Sequence, residues 1–156
     1  MAAYHLAICE DDAAERAHLQ ALCSELLSAR RIDHTLTPFA SADELAQALE
    51  QDEGRFDLLL LDIQMDGMNG MELARKVYDG HVPARILFIT GCADYAVEGY
   101  SVHPVHYLLK PVEPKALDEA LYRDWPTHHQ ANTILFRTGG KTVSLPVADI
   151  HFMESL

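Results

Sequence analysis

Short apolar runs alternate with longer amphipathic segments through the first 125 residues of the chain. Five runs have the length and composition of buried strands, and they cover residues 4–9, 32–39, 58–62, 85–89 and 105–109. After the first run, Leu19, Leu22 and Leu26 recur at the spacing of a helix with one apolar face. Parallel strands that are covered by helices on both faces are apolar along their whole length, which matches these runs. The pattern therefore predicts strand and helix in alternation.

Two of the predicted helices begin with recognisable capping residues. Asp12 with Glu15, and Ser41 with Glu44, have the spacing at which a polar side chain caps the first turn of a helix. Three further helices are expected, one ending near residue 78, one over about 93–100 and one over about 114–123. Five strand–helix units of this size predict an α/β protein with a doubly wound parallel sheet in three layers.

The pattern changes after Trp125 and Pro126. Residues 126–131 are polar and without periodicity, which predicts a linker. Two short strands, 134–137 and 142–145, flank a Gly-Gly pair that is typical of a hairpin turn, and an apolar stretch follows. Two strands and a fragment are too few for an independent core. Residues 132–156 are therefore expected to open a second domain that the chain does not complete.

Composition narrows the class of protein. The chain has 156 residues, of which 49% are hydrophobic and 23% charged, as is typical of a globular domain with its own core. It has no apolar run of membrane-spanning length and no signal-peptide pattern. Cys9 and Cys23 occupy apolar positions, and Cys92 lies far from both, which favours reduced thiols. A cytoplasmic protein without membrane contact is expected.

The charge of the chain bears on its partners. Its net charge of −12 argues against a DNA-binding surface made by the whole chain and suits a body that binds Mg²⁺ and meets other proteins. After Arg123, the only basic side chains are Arg137 and Lys141. Two such charges cannot make the several phosphate contacts that specific DNA binding needs. The chain alone is therefore not expected to bind DNA tightly.

Chemically active side chains stand at the ends of four predicted strands. Glu10 and Asp11 follow the first strand and Asp62 follows the third. Thr90 ends the fourth, and Lys110 follows the fifth. Because the carboxyl ends of parallel strands meet at one edge of a sheet, these side chains are expected to converge there. Three carboxylates, a hydroxyl and an ammonium suit a divalent cation and a phosphoryl group, and the acids would repel one another without a cation.

These residues lie in blocks that resemble those of a response-regulator receiver domain. The blocks are Ile8-Cys-Glu-Asp-Asp12, the segment 60–70 with the sequence LLDIQMDGMNG, Phe88-Ile-Thr90 and Tyr107-Leu-Leu-Lys-Pro111. The resemblance implies a flavodoxin-like fold with strand order 2-1-3-4-5 and a short C-terminal β extension. The tail, with DIHFME at 149–154, is similar to the start of a LytTR-type DNA-binding domain. The implied organisation is a receiver domain over 1–125, a linker over 126–131, and the opening strands of a LytTR-type domain over 132–156.

The resemblance also assigns the chemistry of phosphorylation. Asp62 is expected to be the phosphoacceptor, receiving the phosphoryl group of a sensor histidine kinase. Magnesium is the expected cofactor, and its expected ligands are Glu10, Asp11, Asp62 and the backbone carbonyl of Gln64. Lys110 is expected to neutralise the phosphoryl oxygens, and its bond to Pro111 is a candidate cis peptide.

A conformational switch is implied in the same way. Thr90 is expected to donate its hydroxyl to the phosphoryl group, and Tyr107 is expected to turn inward when Thr90 moves. The resemblance implies that phosphorylation promotes a homodimer through the fourth helix, fifth strand and fifth helix of the receiver. DNA is expected to be contacted only by a complete C-terminal domain. The result would be a transcription regulator rather than an enzyme.

Simpler interpretations are open for single residues. Glu10 and Asp11 could stabilise the positive end of the first helix. Thr90 could cap the helix that follows it, and Tyr107 could be only a wall residue. Asp62 could cap a loop at the end of its strand, and Lys110 could be solvated. Because all of these residues lie at strand ends of one sheet, a set of separate explanations is a less economical interpretation than one shared site.

Two other classes of function fit the sequence less well than the receiver. A phosphatase of the haloacid dehalogenase type also uses an Asp nucleophile, but its general acid would be a second Asp at position 64, where the chain has Gln64. A pseudo-receiver, which signals without phosphorylation, would be expected to lack one of the acids, Thr90 or Lys110. One departure from the receiver pattern is that Asp66, instead of proline, follows Met65.

Overall fold

The five apolar runs pair as parallel strands. The computed structural model describes residues 3–96, 98, 101–138 and 141–146, with side chains described through residue 125. The strands are β1 (Tyr4–Cys9), β2 (His34–Phe39), β3 (Leu58–Leu61), β4 (Arg85–Thr90) and β5 (His106–Leu109). They form one sheet in the order β2-β1-β3-β4-β5. This confirms the predicted fold class and strand order.

Four helices have bounds that the structure gives. They are α1 (Ala13–Ala29), α2 (Ala42–Gln51), α3 (Gly70–Asp79) and α4 (Pro114–Asn132), so α4 is the fifth helix predicted from the sequence. In the segment predicted as the fourth helix, Ala93–Tyr95 form a 3₁₀ turn, and Ala96 and Glu98 are helical. The rest of that predicted helix, residues 97, 99 and 100, lies outside the described residues.

The two faces of the sheet carry separate layers of apolar side chains, because successive strand residues point to opposite sides. On one side, Ala7, Cys9 and Leu59 belong to a buried cluster with residues of α2 and α3. Leu6 and Ile8, which alternate with them along β1, are buried on the other side. Helix α1 contacts β1 and β2, and the Arg30–Asp118 ion pair joins its end to α4. The carboxyl edge of the sheet lies between these layers and remains accessible to ligands.

The C-terminal unit, Tyr122–Leu156, differs from the prediction in one respect. Helix α4 continues to Asn132, through the segment 126–131 that the sequence predicts to be an irregular linker. The polar composition of that segment was misleading, since it contains no glycine, and Gln130 and Ala131 are good helix formers. Pro126 disfavours a helix, because it removes one N–H donor and its ring crowds the carbonyl four residues earlier, but it does not forbid one.

A hairpin follows α4, as predicted. Strands β6 (Thr133–Thr138) and β7 (Lys141–Pro146) are antiparallel. The predicted Gly139-Gly140 turn and the apolar stretch at 150–153 lie outside the described residues. In the part of the chain that the structure describes, no helix combines the length and apolarity needed to cross a membrane.

The turn that follows helix α3 contains a residue in the left-handed backbone region that is not glycine. His81 has φ 55°, and its N–H donates to Tyr78 O at 3.2 Å. The next residue, Val82, donates its N–H to Val77 O at 3.0 Å. These two bonds form a Schellman arrangement, in which the position of His81 favours glycine. The glycine lies one residue earlier. Gly80 has φ −83°, a conformation that other residues also adopt.

We predict that His81→Gly stabilises the protein by about 1 kcal/mol. A Cβ in the left-handed region costs about 1–2 kcal/mol, and the greater freedom of glycine in the unfolded chain offsets part of the gain. Urea unfolding followed by circular dichroism measures the change. His81→Ala is the matched control, because it removes the same exposed ring and keeps a Cβ. An equal gain in both variants would contradict the backbone explanation.

Candidate functional site

The strand register brings the predicted site residues to one edge of the sheet. Cys9 of β1 is level with Leu61 of β3, so Glu10 and Asp62 both stand one residue beyond the strands. The strand order reverses at this pair, and open α/β sheets gather their ligands at such a switch point. On the other side of β3, the Lys110 N–H donates to the Thr90 carbonyl at 2.8 Å. The edge therefore assembles residues from four strands.

Lys110 is the centre of the site. Its Nζ atom donates hydrogen bonds to Asp62 Oδ2 at 2.8 Å, to Glu15 Oε2 at 2.7 Å and to Glu10 Oε1. An ammonium has three N–H donors, so each of them is directed at a carboxylate. The peptide bond from Lys110 to Pro111 is cis. Three carboxylates therefore surround one ammonium.

Glu10 is the most deeply buried of these acids, with 3% of its surface exposed. Burial is the main cause that raises the pKa of Glu10 to about 7, and the Asp62 carboxylate adds to the rise. Hydrogen bonds from Lys110 and from the Asp12 amide lower the pKa only in part. The ionised form of Glu10 is thus incompletely neutralised by its protein neighbours.

The pKa of the Lys110 ammonium is also raised, but here the rise favours the charged form. Burial alone would lower the pKa of Lys110, but hydrogen bonds to Asp62, Glu10 and Glu15 outweigh burial and raise it above its ordinary value. Lys110 therefore stays charged at neutral pH. A permanent positive charge beside Asp62 is available to a negative group that arrives there.

Both carboxylate oxygens of Asp62 accept hydrogen bonds. Its Oδ2 accepts from Lys110, and its Oδ1 accepts from the Gln64 N–H at 3.3 Å. The start of α3 presses against its backbone, where the Gly70 N–H donates to Ile63 O at 2.9 Å. A Cβ on Gly70 would lie 2.0 Å from the Asp62 carbonyl oxygen, which is far too close. Only glycine at position 70 allows this approach of helix and strand end.

Asp11 has a partner outside the Lys110 cluster. It is exposed, and its Oδ2 accepts from the Asp66 N–H at 3.2 Å. A proline at position 66 could not make this bond, because proline has no N–H. Among the residues that the structure describes, the group of three carboxylates whose oxygens lie within 4.8 Å of one another is Glu10, Glu15 and Asp62. The role of Asp11 as a metal ligand stays a prediction, as does that of the Gln64 carbonyl.

Thr90 and Tyr107 are connected through one residue. The Thr90 hydroxyl is fully buried and accepts from the Cys92 N–H at 3.4 Å. The Tyr107 hydroxyl donates to the Cys92 carbonyl at 2.6 Å, and its ring lies 5.7 Å from that of Phe88. Burial and the neighbouring Cys92 and Asp94 raise the pKa of Tyr107, so the phenol keeps its proton as a donor. The backbone of Cys92 therefore links the two residues predicted to form the switch.

Glu15 is a site residue that the sequence analysis did not find. Its spacing from Asp12 indicates only a helix cap, and its N–H does donate to the side chain of the cap residue Asp12, at 2.9 Å. Its carboxylate instead reaches Lys110. The sequence contains one signal for this, since Glu15 lies four residues before Leu19 and so shares the face of α1 that meets the sheet.

The residues present fit a magnesium ion by their chemistry. The clustered donors are carboxylate oxygens, which Mg²⁺ prefers. The buried Glu10, with its raised pKa, has less positive charge near it than its ionised form requires. A cation would supply that charge.

The family of the chain follows from comparison with known proteins. Residues 6–122 match the model of the response regulator receiver domain. The chain belongs to this family. The predicted receiver is thereby confirmed, and residues 6–122 form the receiver domain of a two-component response regulator.

The receiver domain is similar to several regulatory proteins. It is 35% identical over 114 residues to the positive alginate biosynthesis regulatory protein of Pseudomonas aeruginosa, covering 73% of this chain and 44% of that protein. An uncharacterized response regulatory protein of Vibrio cholerae is 34% identical over 117 residues, with 73% and 42% covered. The transcriptional regulatory protein BtsR of Escherichia coli is 38% identical over 69 residues, with 44% and 28% covered. The chain therefore spans less than half the length of these relatives.

Solved structures agree on the fold. The response regulatory domain of protein mrkE from Klebsiella pneumoniae has a TM-score of 0.72 at 21% identity, covering 81% of this chain and 98% of that one. A receiver domain protein from Clostridium thermocellum has a TM-score of 0.70 at 16% identity, with 81% and 98% covered. At this level of identity, the similarity supports the architecture alone.

We predict that Gly70→Ala destabilises the receiver domain by about 3 kcal/mol, the upper part of the range for overpacking. The added Cβ meets backbone, at 2.0 Å from the Asp62 oxygen and 2.8 Å from the Asp62 carbonyl carbon, so no side chain can move to relieve it. Urea unfolding measures the loss. Gly54→Ala is the control, because its Cβ would meet only Asp52 Oδ1 at 3.7 Å. Similar stability of the two variants would show that the approach of α3 is not tight.

Proposed function

We propose that Asp62 accepts a phosphoryl group from the phosphohistidine of a sensor histidine kinase. The observation that carries this proposal is the hydrogen bond from Lys110 Nζ to Asp62 Oδ2 at 2.8 Å within a carboxylate cluster. The phosphorus–nitrogen bond breaks, its electron pair returns to the imidazole, and a phosphorus–oxygen bond forms at Asp62. The attacking carboxylate and the incoming group are both negative, so positive charge must lie beside them.

Magnesium is proposed as the cofactor of this transfer. Glu10 and Asp62 are the proposed carboxylate ligands, with Asp11 and the backbone carbonyl of Gln64 as further ligands. When all three carboxylates are ionised, they leave an excess of two negative charges around the ammonium. A bound Mg²⁺ would supply the matching positive charge and would lessen the repulsion between Asp62 and the phosphoryl oxygens.

The phosphoryl group serves as a signal in this proposal. The positive charge of Lys110 lies beside the acceptor, and the state of Asp62 is transmitted to other parts of the domain. No leaving group is released as a product of repeated turnover, so the proposed role is that of a regulator and not of an enzyme.

Acetyl phosphate tests the acceptor directly. We predict that the wild-type protein gains the mass of one phosphoryl group in the presence of Mg²⁺, and that the gain is lost when EDTA removes the metal. Asp62→Asn should gain none, because an amide oxygen is a poor nucleophile. Intact-mass spectrometry measures the adduct.

The matched control is Asp66→Asn, which neutralises an exposed carboxylate in the same loop. It should keep the adduct. A full adduct on Asp62→Asn, or a wild-type adduct that forms equally well without metal, would refute the assignment.

A switch is proposed for the residues linked through Cys92. When the Thr90 hydroxyl turns to donate to the phosphoryl group, its acceptor contact with the Cys92 N–H at 3.4 Å changes. The Cys92 carbonyl holds the Tyr107 hydroxyl at 2.6 Å, so a shift of this one peptide segment alters the position of the ring. The change reaches β5, because Tyr107 is part of that strand.

The dimerisation proposal rests on the exposed side of β5. This strand lies at the edge of the sheet, where backbone groups lack a neighbouring strand. Val105, directly before β5, and Leu109, its last residue, are 39% and 50% exposed. We propose that phosphorylation reshapes this surface, together with the segment around 93–100 and α4, and so promotes a homodimer.

Replacement of Thr90 separates phosphorylation from its effect. We predict that Thr90→Val, which keeps the shape and loses the hydroxyl, still binds the phosphoryl mimic beryllofluoride but no longer dimerises in response. Thr90→Ser keeps the hydroxyl and should dimerise as the wild type does. Light scattering after size-exclusion chromatography measures the mass. Normal dimerisation of Thr90→Val would end the switch role of Thr90.

The output is proposed to be control of transcription. Two relatives are named as regulators, and both are longer than the segment they share with this chain. The hairpin β6–β7 supports the interpretation of residues 132–156 as the opening strands of a LytTR-type DNA-binding domain. DNA contact is assigned to the complete domain.

A further inference from the structure

The side chain of Glu15 takes no part in capping α1, to which this residue contributes only its backbone N–H. In a complete capping box, the glutamate at this position accepts from the N–H of the cap residue. At α3 this happens, since Glu72 Oε1 accepts from the Asn69 N–H at 3.3 Å. At α1 the Asp12 N–H donates to Glu10 Oε2 at 3.2 Å instead. Glu10 thus takes the place that the Glu15 carboxylate would have filled.

The Glu15 carboxylate is therefore free to pair with Lys110, at 2.7 Å. Lys110 then has no N–H left for another acceptor, because its other two donors point to Asp62 and Glu10. A phosphoryl group on Asp62 needs at least one of these donors. One of the three existing bonds must break before Lys110 can contact it.

Exposure distinguishes the three acceptors. The side chains of Glu10 and Asp62 are 4% and 9% exposed, whereas that of Glu15 is 52% exposed. A carboxylate that leaves Lys110 must regain its hydrogen bonds from another partner, and the half-exposed Glu15 can obtain them from water. Glu15 is the acceptor that can leave most easily.

We propose that Glu15 is an internal competitor of the phosphoryl group for Lys110. In the unphosphorylated protein, it occupies one donor of the ammonium. On phosphorylation, the bond from Lys110 to Glu15 is exchanged for a bond from Lys110 to a phosphoryl oxygen. Glu15 thereby sets how strongly the phosphorylated state is favoured. This inference rests on the proposed phosphorylation of Asp62.

The first test compares Glu15→Gln with the wild type at limiting acetyl phosphate and saturating Mg²⁺. The neutral amide is a weaker acceptor, so the ratio of phosphorylated to unphosphorylated protein should rise about threefold, in the range of a partly exposed ion pair. The half-life of the adduct after removal of acetyl phosphate should lengthen in the same direction. Glu25→Gln, an equal charge change at an exposed position of α1, should behave as the wild type.

The second test does not depend on phosphorylation. Acetic anhydride is applied without Mg²⁺ or phosphodonor, and modified lysines are quantified by peptide mass spectrometry. Lys110 of Glu15→Gln should react about threefold faster, because one fewer carboxylate then stabilises its protonated, unreactive form. The exposed Lys115 is the internal reference and should not change.

The outcomes separate this inference from the proposed function. A wild-type adduct whose amount and lifetime are the same in Glu15→Gln overturns the competition alone. A reduced adduct in Glu15→Gln, with a raised Mg²⁺ requirement in a calorimetric titration, overturns it in favour of Glu15 as a metal ligand. Absence of any wild-type adduct overturns the proposed function and the competition together, and unchanged reactivity of Lys110 overturns the pairing itself.

Discussion

The contact of one ammonium with three carboxylates organises this receiver domain. Lys110 meets Glu10, 100 positions earlier, and Asp62, 48 positions earlier, so the contact ties together the ends of β1, β3 and β5. Glu10 and Asp62 would each be costly to bury alone, and both pair with the same nitrogen. The arrangement still carries more negative than positive charge. The proposed magnesium ion and phosphoryl group would both interact with this unbalanced charge.

The backbone supplies the accuracy that this contact needs. Parallel pairing of Cys9 with Leu61 places the two acids at the same height, and the glycine at position 70 lets α3 approach the Asp62 carbonyl. Apolar layers on both faces of the sheet fix the strands against sliding, since a shift of one residue would turn buried side chains outward. The chemistry at the edge thus depends on ordinary packing in the interior.

Much of this could be predicted from the sequence, for physical reasons. Buried parallel strands are apolar throughout, so β1, β3 and β4 were recognisable, and the topology of α/β sheets then collects the residues that follow them. Glu15 was missed because a capping pattern explained it locally, while its contact with Lys110 depends on tertiary structure. The continuation of α4 through 126–131 was missed because proline and polar residues disfavour a helix without forbidding it. The partner of Asp11 depends on loop geometry, which composition does not encode.

The bonds at Cys92 have one more consequence. Both Thr90 and Tyr107 contact its main chain, so the thiol takes no part in the link and can be altered without removing it. Burial raises the pKa of both Cys9 and Cys23 to about 12, which leaves them almost without the reactive thiolate, and Cys92 is the partly exposed cysteine. The native chain thus offers a selective attachment point for a fluorescent reporter, at the joint whose movement would carry the signal.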